Sequence, residues 1–592
     1  MKKIFSLIIV CSVSLAINAV PAKRGWQTRT QADGTTIEIQ MLGDEYYHYF
    51  VNRDGQEVRL NAAGNYEIVG AAPTRAQVQA RRTESPRYKK ARKIGVQPNL
   101  APRGIVILFN FKDSQMKAEH TPAVFDELCN STNCTVNQYK GVNYPSAAEY
   151  FNDQSDGKYR PIFDVFGPVT LSKNYAYYGQ NNEDGNDMYS TDAVIEACIL
   201  ADQQYPELDF ANYDSDNDGK VDFVYAIYAG KGEADGGDEN TIWPHNWDIY
   251  TNVLPIYCND KDECWIDKEK GTRLSCCYTE EDVVLDGKTL SNYAMSSELS
   301  GSSLSGIGTL CHEFGHVMGL PDFYDTQYGE NHEKDLTPSD WNIMDGGSYN
   351  GGAHCPPNYD PWEKYFMGWI TPENLGNTGR ALTLKANGTE GYKAYQINAG
   401  GLQESATKEG LNYYIENRQQ QGWDQFIPAS GMVIWRVNYK KDVWENNAPN
   451  NTPGNLRYTL EIPSGTKVGA AGGEKNVWPY GSLNSWEGVK GKPLKEITRD
   501  GDDITLVYIE NLTSYPVYWV VNGKVIESRE YEVDGSEDLV LPTTPFEACE
   551  GTQFIGWTQQ SNWCNPFDVP DDLFTESTGK VTRPVTYYAL FE

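Results

Sequence analysis

The most informative segment of the sequence runs from residue 308 to residue 322 and reads Gly-Thr-Leu-Cys-His-Glu-Phe-Gly-His-Val-Met-Gly-Leu-Pro-Asp. His312 and His316 are four residues apart, so on an α-helix they lie one turn above each other on one face. This spacing lets two imidazole nitrogens reach one zinc ion. Glu313 follows the first histidine, where its carboxylate can take a proton from a water molecule that the metal activates. The segment therefore predicts a helix that carries a catalytic zinc site.

A catalytic zinc ion needs a third protein ligand, and the residues after the histidines can supply one. Gly319 can adopt the left-handed conformation that ends a helix, and Pro321 stiffens the turn that follows. Asp322 can then return to the metal as an oxygen ligand, and Asp325 is the alternative. The sequence thus predicts His312, His316 and Asp322 as the zinc ligands.

A methionine-containing turn, Trp-Asn-Ile-Met-Asp-Gly-Gly, begins at Trp341 and places Met344 22 residues after Asp322. We expect the polarisable thioether of Met344 to lie beneath the metal ligands. Tyr349 follows the turn and is our candidate for stabilising the oxyanion of the transition state. An ordinary packed or exposed tyrosine is the alternative interpretation of that residue.

Three other histidines, His245, His332 and His354, are alternative ligands or substrate contacts. A single histidine more often has a structural role or is exposed. Two histidines four residues apart also occur by chance on helices that bind no metal. The extension to Asp322 and the methionine turn favour the metal site over that alternative.

An acidic run from residue 214 to residue 222 reads Asp-Ser-Asp-Asn-Asp-Gly-Lys-Val-Asp. Alternating carboxylates around a glycine that permits a sharp turn suit Ca²⁺, which prefers oxygen ligands. Position twelve of a full EF-hand loop would be Tyr225, which offers no bidentate carboxylate. The run is therefore interpreted as a shortened structural calcium loop, with an acidic turn that binds no ion as the alternative. Its predicted ligands are Asp214, Asp216, Asp218, Lys220 and Asp222.

The composition excludes some partners and favours an extracellular location. The chain has 82 Asp and Glu against 50 Lys and Arg, a formal net charge of −32, so its surface repels nucleic-acid phosphates. Lys2 and Lys3 precede an apolar run and the small residues Ala19 and Ala22, which is the layout of a secretory signal peptide. We expect residues 1–20 to be removed, and we expect the mature protein to be secreted with no transmembrane segment.

Cysteine usage fits an oxidising compartment. Of the twelve cysteines, Cys11 lies in the predicted signal peptide, which leaves eleven. An odd number leaves at least one thiol unpaired within the chain. Three close pairs can form disulfides, namely Cys129 with Cys134, Cys258 with Cys264, and Cys549 with Cys564.

Several domains are expected, because 592 residues are too many for a single core. The predicted fold class is α+β, with buried strands at Gly104–Phe109 and Asp222–Ala229 and a helix at Ala193–Ala201. Short strands follow, among them Asp538–Leu541. The basic stretch 81–93 is predicted to be a linker and a place where a pro-segment can be cut off. The predicted divisions are a signal peptide (1–20), a pro-segment with its linker (21–98), a zinc peptidase domain (99–372), a β-rich domain packed on it (373–510) and a small β-rich module (511–592).

With these motifs in view, residues from about 100 to 450 resemble the immune inhibitor A family of secreted metallopeptidases, in the metzincin clan. The resemblance rests on His-Glu-Phe-Gly-His-Val-Met-Gly-Leu-Pro-Asp-Phe-Tyr-Asp (312–325), Ile343-Met344-Asp345 and the acidic run. It implies a zymogen whose zinc endopeptidase domain degrades host or environmental proteins and binds calcium. Residues 23–98 contain no cysteine, so latency cannot come from a pro-segment thiolate on zinc.

The C-terminal module resembles an internalin-type B repeat, a small β-grasp-like domain of bacterial surface and secreted proteins. The resemblance rests on Val520-Val-Asn-Gly, Phe554-Ile-Gly-Trp and Tyr588-Ala-Leu-Phe. It implies a bacterial origin and contact with a cell surface or a host protein. Two other functions stay open at this point: an inactive adhesion protein that acts through this module, and a zinc enzyme that cleaves lipids or esters. The intact Glu313 favours a protease over the inactive protein.

Overall fold

The structure is a computed structural model, and it describes residues 26–32, 34–44, 47–61, 63, 65–84, 98, 100–181, 187–233, 237–249, 265–267, 272–273, 283–326, 337–376, 379–399, 405–452, 454–463, 468, 472–508, 514–522, 524–532, 537–546, 553–559, 570, 572–576, 579–581 and 585–591. They form two compact units. Unit 1 contains residues up to 369 together with 421–427 and 441–456, and unit 2 contains 370–420, 428–440 and residues from 457 onward. Both helices and many strands are present, so the α+β class is confirmed. The predicted boundaries at 98, 372 and 510 remain predictions.

The N-terminal part of unit 1 is an antiparallel sheet of five strands followed by helix α1. The elements are β1 (Gln27–Thr30), β2 (Thr36–Asp44), β3 (Tyr47–Asn52), β4 (Gln56–Leu60), β5 (Tyr66–Ala71) and α1 (Arg75–Glu84). Tyr47, Tyr49 and Val51 alternate along β3 and pack on Val78 of α1. The predicted linker thus begins inside a helix, since α1 includes Arg81, and its residues 85–93 lie outside the described ranges.

A six-stranded sheet forms the centre of unit 1. Its strands are β6 (Arg103–Asn110), β9 (Ile162–Thr170), β11 (Val224–Lys231), β12 (His245–Asp248), β17 (Asn292–Ser300) and β18 (Ser303–Leu304). The order is β12-β17-β11-β6-β9, with β18 paired to β17; β6, β9, β11 and β17 run parallel, and β12 is antiparallel to β17. Residues 105–109 of β6 are fully buried, as expected for a parallel strand that is covered on both faces.

The further helices of unit 1 are α2 (Pro122–Asn130), α3 (Ala147–Gln154), α4 (Tyr175–Tyr178), α5 (Ser190–Gln204), α6 (Gly308–Val317), α7 (Pro361–Phe366) and α8 (Lys441–Glu445). Helices α2, α5 and α6 pack against the central sheet. The predicted helix Ala193–Ala201 is confirmed as the middle of α5, which packs on β6 and β9. Helix α6, which carries the predicted zinc motif, packs on β17 and β12 at the antiparallel edge.

Short elements complete unit 1. The strands are β7 (Gln138–Tyr139), β8 (Val142–Asn143), β10 (Lys220–Val221), β13 (Trp265–Asp267), β14 (Thr272–Arg273), β15 (Val283–Leu285) and β16 (Lys288–Leu290). The 3-10 helices are Phe210–Tyr213, Ser339–Trp341, Gly346–Tyr349 and Gly422–Phe426. The small sheet β10-β16-β15 holds the end of the acidic run beside Lys288.

Unit 2 is made mainly of strands. They are β19 (Glu373–Asn374), β20 (Arg380–Leu384), β21 (Tyr395–Asn398), β22 (Gly410–Arg418), β23 (Gly431–Tyr439), β24 (Tyr458–Glu461), β25 (Leu494–Asp500), β26 (Asp503–Tyr508), β27 (Ser514–Val521), β28 (Lys524–Glu532), β29 (Phe554–Thr558) and β30 (Val585–Phe591), with a 3-10 helix at Gly473–Asn476. The sheets β19-β21-β22-β23-β24 and β20-β26-β25 share one apolar core. The sheet β28-β27-β30-β29 has its own core around Trp519 and Trp557, whose ring centroids are 4.8 Å apart.

Two expectations from the sequence are wrong, namely the strand over Asp538–Leu541 and the disulfide between Cys129 and Cys134. Of the strand expected over Asp538–Leu541, only Asp538 pairs, in an isolated bridge with Lys580. The N–H of Val540 instead donates to the hydroxyl of Tyr531 at 2.9 Å, outside any strand ladder.

The disulfide between Cys129 and Cys134 is not formed, since both are buried free thiols. Burial raises the pKa of both thiols, and so disfavours the thiolate that disulfide exchange needs. The other two suggested pairs lie outside the described ranges, as does the predicted signal peptide. Within the described residues, no helix is both long and apolar enough to cross a membrane.

Candidate metal centre

Helix α6 ends where the sequence predicts. Gly319 has a φ of 97°, a value that glycine adopts without a steric penalty. The N–H groups of Gly319 and Leu320 donate to the carbonyl oxygens of His316 and Gly315 at 2.9 and 3.0 Å. These two bonds form a Schellman motif, which satisfies carbonyls at the helix end. The chain therefore turns back sharply, directly after the second histidine.

Both imidazoles are fixed in one tautomer by main-chain carbonyls. His312 Nδ1 lies 2.7 Å from the carbonyl oxygen of Ile343, in the methionine turn, and His316 Nδ1 lies 2.8 Å from that of Leu320. Because a carbonyl oxygen only accepts hydrogen bonds, each Nδ1 carries the proton and each neutral ring presents the lone pair of Nε2. The two Nε2 atoms face each other at 3.1 Å.

Asp322 completes the group. Its Oδ1 lies 3.3 Å from His312 Nε2 and 3.4 Å from His316 Nε2, and one ligand atom from each residue falls within 4.8 Å of the others. Asn447 holds the aspartate in place: its Nδ2 donates to Asp322 Oδ2 at 2.6 Å, and its Oδ1 accepts from the Asp322 N–H at 2.6 Å. The other carboxylate oxygen is therefore left directed at the histidines.

The chemistry of this donor set fits a cation. Although burial would raise the pKa of Asp322, the two imidazoles hold it at about 2, so the carboxylate is ionised. Burial lowers the pKa of His316, whereas the nearby carboxylates raise the pKa of His312 above its usual value although that ring is also buried. Tetrahedral zinc with bonds of about 2.0–2.1 Å separates two nitrogen ligands by about 3.3 Å, close to the distance observed. The residues present therefore fit a zinc ion.

Close packing beneath the helix depends on two glycines. A Cβ on Gly315 would lie 2.7 Å from the sulfur of Met344, and a Cβ on Gly308 would lie 2.0 Å from the carbonyl oxygen of Ser348. The thioether therefore lies directly under the turn of α6 that carries the second histidine. Glu313 has no exposed surface and lies beside the first histidine.

The remaining candidates lie elsewhere. His245 is in a separate buried network, with Nε2 2.8 Å from the Tyr293 hydroxyl. His354 Nδ1 lies 2.7 Å from Asn137 Oδ1, and burial lowers its pKa to about 4. Neither belongs to the group of three, and His332 lies outside the described ranges. Tyr349 ends the 3-10 helix after the methionine turn, and its role remains a prediction.

Asp325, the alternative third ligand, has a different environment from Asp322. Its carboxylate accepts hydrogen bonds from both terminal nitrogens of Arg75, with Nη2 2.7 Å from Oδ1. It is not part of the group that the two histidines form. The geometry thus favours Asp322 over Asp325 as the third donor.

The acidic run brings together three of its five predicted ligands. Asp214, Asp216 and Asp218 offer carboxylate oxygens within 4.8 Å of one another. Asp222 is not in this group, and its Oδ2 accepts the N–H of Ser215 at 2.8 Å. The part of Lys220 remains a prediction. Lys288 Nζ lies 2.6 Å from Asp214 Oδ2 and lowers the pKa of that carboxyl. In this arrangement a lysine ammonium already neutralises part of the acidic cluster.

Sequence reasoning missed Asn447 and its neighbours. Asn450 Nδ2 donates to the carbonyl oxygen of Phe323 at 2.6 Å, and Asn451 Oδ1 accepts from the Thr326 N–H at 3.0 Å. These side chains fasten the loop after the zinc motif from a position more than a hundred residues further along the chain. The pattern Glu-Asn-Asn-Ala-Pro-Asn-Asn from residue 445 is a recognisable cluster of asparagines, but nothing local connects it to the metal.

Comparison with known proteins agrees with this geometry. Residues 109–370 match the family model described as immune inhibitor A peptidase M6, catalytic domain. The pre-pro-metalloprotease PrtV of Vibrio cholerae serotype O1 is 27% identical over 296 residues, which is 44% of this chain and 29% of that protein. Immune inhibitor A of Bacillus thuringiensis subsp. alesti is 25% identical over 343 residues, 55% of this chain and 44% of that protein. The chain thus spans less than half of the length of these curated relatives. Residues 109–370 therefore resemble the catalytic domain of the immune inhibitor A (M6) family of metallopeptidases.

Proposed function

We propose that this chain is a secreted zinc-dependent endopeptidase that hydrolyses peptide bonds of extracellular proteins. The observation that carries the proposal is the convergence of two imidazole lone pairs and one carboxylate oxygen on a single point beside Glu313. The family match over residues 109–370 supports peptide bonds as the substrate. His312, His316 and Asp322 would hold the zinc, and Glu313 would act as the general base.

Each residue has a distinct part in hydrolysis. A bound zinc ion supplies a Lewis acid that activates water and polarises the scissile carbonyl. Glu313 takes a proton from the attacking water at its carboxylate and passes it to the leaving amine, as a general base and then a general acid. The carbonyl oxygens of Ile343 and Leu320 keep the histidines in the tautomer that can bind metal. Met344 supports the helix from below, and Tyr349 is proposed to donate to the developing oxyanion.

Secretion and latency belong to the same proposal. The signal-like residues 1–20 would direct export, and the sheet and helix from residue 26 to 84 would be the pro-segment of a zymogen. Side chains of this segment contact the catalytic part at Tyr324 and Asp325, two and three residues after the proposed ligand Asp322. A segment that lies at this point can hinder access to the metal without a cysteine. The C-terminal module is proposed to contact cell surfaces or host proteins.

A metal-dependence experiment tests the central proposal. The purified protein, once its pro-segment has been removed, is expected to degrade casein, and 1,10-phenanthroline is expected to reduce that activity to the level of the buffer control by removing the zinc. The isomer 1,7-phenanthroline, which cannot chelate, serves as the matched control and should leave proteolysis intact. Addition of Zn²⁺ after dialysis should restore the lost activity. Proteolysis that persists in the chelator would contradict a zinc mechanism.

Calcium binding at the acidic run is a second part of the proposal, supported by the clustered oxygens of Asp214, Asp216 and Asp218. Because an ion that binds only the folded state stabilises it, EGTA is expected to lower the melting temperature by about 2–4 °C. The double variant Asp216→Ala, Asp218→Ala should lose this response. A control that removes the same charge at exposed positions, Glu119→Ala with Glu207→Ala, should keep it. An identical response in both double variants would place the calcium elsewhere.

A further inference from the structure

The N-terminal sheet lies between two parts of the catalytic domain. On one face of β3, Tyr47 and Tyr49 pack with Tyr324, in the loop after the proposed zinc ligands. On the other face, Phe50 packs with Trp243, and His48 stacks on the same indole at 4.4 Å. The alternation of side chains along the strand thus joins two surfaces of the catalytic domain.

On both surfaces, a histidine or arginine side chain of the N-terminal segment pairs with a buried carboxylate of the catalytic domain. His48 Nε2 lies 3.2 Å from Glu233 Oε1, and the carboxyl side chain is only 2% exposed. Arg75 pairs with Asp325, whose side chain is 5% exposed. The arginine contact is the more specific of the two, because its guanidinium engages both oxygens of the carboxylate and its Nη2 also donates to the carbonyl oxygen of Asn451 at 3.0 Å.

The receptor of this guanidinium is built by the catalytic domain alone. Asn451 is tied to the loop of Asp325 through Thr326: its Oδ1 accepts from the Thr326 N–H, and its Nδ2 donates to the Thr326 hydroxyl at 2.7 Å. Asn450 holds the same loop at Phe323. None of these bonds uses a residue of the N-terminal segment. The carboxylate and the carbonyl therefore form a fixed, acidic recess into which one arginine is inserted.

We propose that Asp325 and the main-chain carbonyl of Asn451 form a binding site for the guanidinium group of an arginine side chain in a substrate, and that Arg75 fills this site in the described structure. This inference rests on the proposed peptidase function. Asp325 lies three residues after Asp322, on the same loop as the proposed zinc ligand. Guanidinium, rather than ammonium, is favoured because its planar fork matches a carboxylate with two parallel hydrogen bonds.

Removal of the pro-segment would leave the arginine site open to a substrate. When Arg75 leaves, a nearly buried carboxylate loses its bidentate partner, and a buried charge favours any cation that restores the pair. An arginine of the substrate supplies the same group with the same geometry. The pro-segment would thus exclude arginine-bearing substrates by occupying their site with its own arginine.

The test is a binding measurement on the full-length chain, with Nα-acetyl-arginine methylamide as the probe and ligand-detected NMR as the readout. Arg75→Ala is expected to bind the probe about tenfold more tightly than the parent, because the site is vacated. Asp325→Asn in the same chain should remove that gain. The citrulline analogue, which is neutral and of nearly the same shape, should show no gain. The matched control is Arg81→Ala. Arg81 lies on the same helix, but its guanidinium lies over the ring of Tyr47, so this variant should bind the probe like the parent.

Equal binding of the probe by the parent, Arg75→Ala and Arg75→Met would overturn the site, as would equal binding of arginine and citrulline analogues by Arg75→Ala. Arg75→Met keeps the aliphatic stem and is measured for the case in which alanine unfolds α1. The measurement detects binding and does not depend on catalysis. The peptidase proposal and the arginine-site proposal can therefore be refuted independently of each other. A chain that binds arginine at Asp325 but cuts no peptide refutes only the peptidase, and a chain that cuts peptides without this selectivity refutes only the site.

Discussion

Replacement of Glu313 by glutamine is expected to lower kcat/KM for peptide hydrolysis by a factor of about 10²–10⁴, the usual contribution of general acid–base catalysis. Glutamine keeps the shape of the side chain but cannot accept the proton of the attacking water. The three proposed ligands, His312, His316 and Asp322, are untouched, so one zinc ion per chain should still bind. A loss of turnover with the metal retained distinguishes a missing base from a missing ion.

The comparison requires protein in the same processed state. A variant without activity cannot remove its own pro-segment, so parent and variant are both treated with the same limited amount of trypsin, which can cut the basic stretch 81–93. Glu207→Gln, which removes one exposed carboxylate remote in sequence from the motif, is the matched control and should keep the parent's rate. Zinc content is measured in all three proteins. A Glu313→Gln protein that hydrolyses peptides at the parent's rate would contradict the proposed role of Glu313 as the general base.

The parts of the site that lie close together in sequence could be predicted from it. The spacing of His312 and His316, the left-handed Gly319 and the return of Asp322 all follow from helix geometry and one turn. Local physics fixes each of these features, because a Schellman motif needs only the residues of the last helical turn and the glycine after it. The buried strand β6 was equally predictable, since a short uninterrupted apolar run is typical of a parallel strand that is buried on both faces.

Contacts between distant segments could not be predicted in this way. Asn447 reaches Asp322 across 125 residues, and Arg75 reaches Asp325 across 250 residues. No periodicity or turn signal links such positions, because tertiary packing alone brings them together. The acidic run shows the same limit: its spacing predicted five ligands, but it gave no sign that Lys288 would approach Asp214.

Substitution of Asn447 by glycine is expected to weaken zinc binding by about 10- to 100-fold, the usual effect of removing a side chain that orients a metal ligand. Asn447 bonds both the N–H and the carboxylate of Asp322, so its loss frees the aspartate to rotate away from the histidines. Glycine is the informative replacement because residue 447 has a φ of 48°, which alanine would adopt only with strain. The change therefore removes the amide without disturbing the backbone.

The measurement is a competition titration of zinc against a fluorescent chelator, with Asn446→Ala as the matched control. Asn446 is the adjacent asparagine, but its Nδ2 donates to the carbonyl of Asp442, not to the ligand loop, so its loss should leave the affinity within about twofold of the parent. The fall in affinity expected for Asn447→Gly follows from the charge of Asp322: a buried carboxylate binds a cation well only when it is held at the right place. If both variants bind zinc like the parent, the orientation of Asp322 does not depend on Asn447, and the carboxylate must be held by the backbone of its own turn.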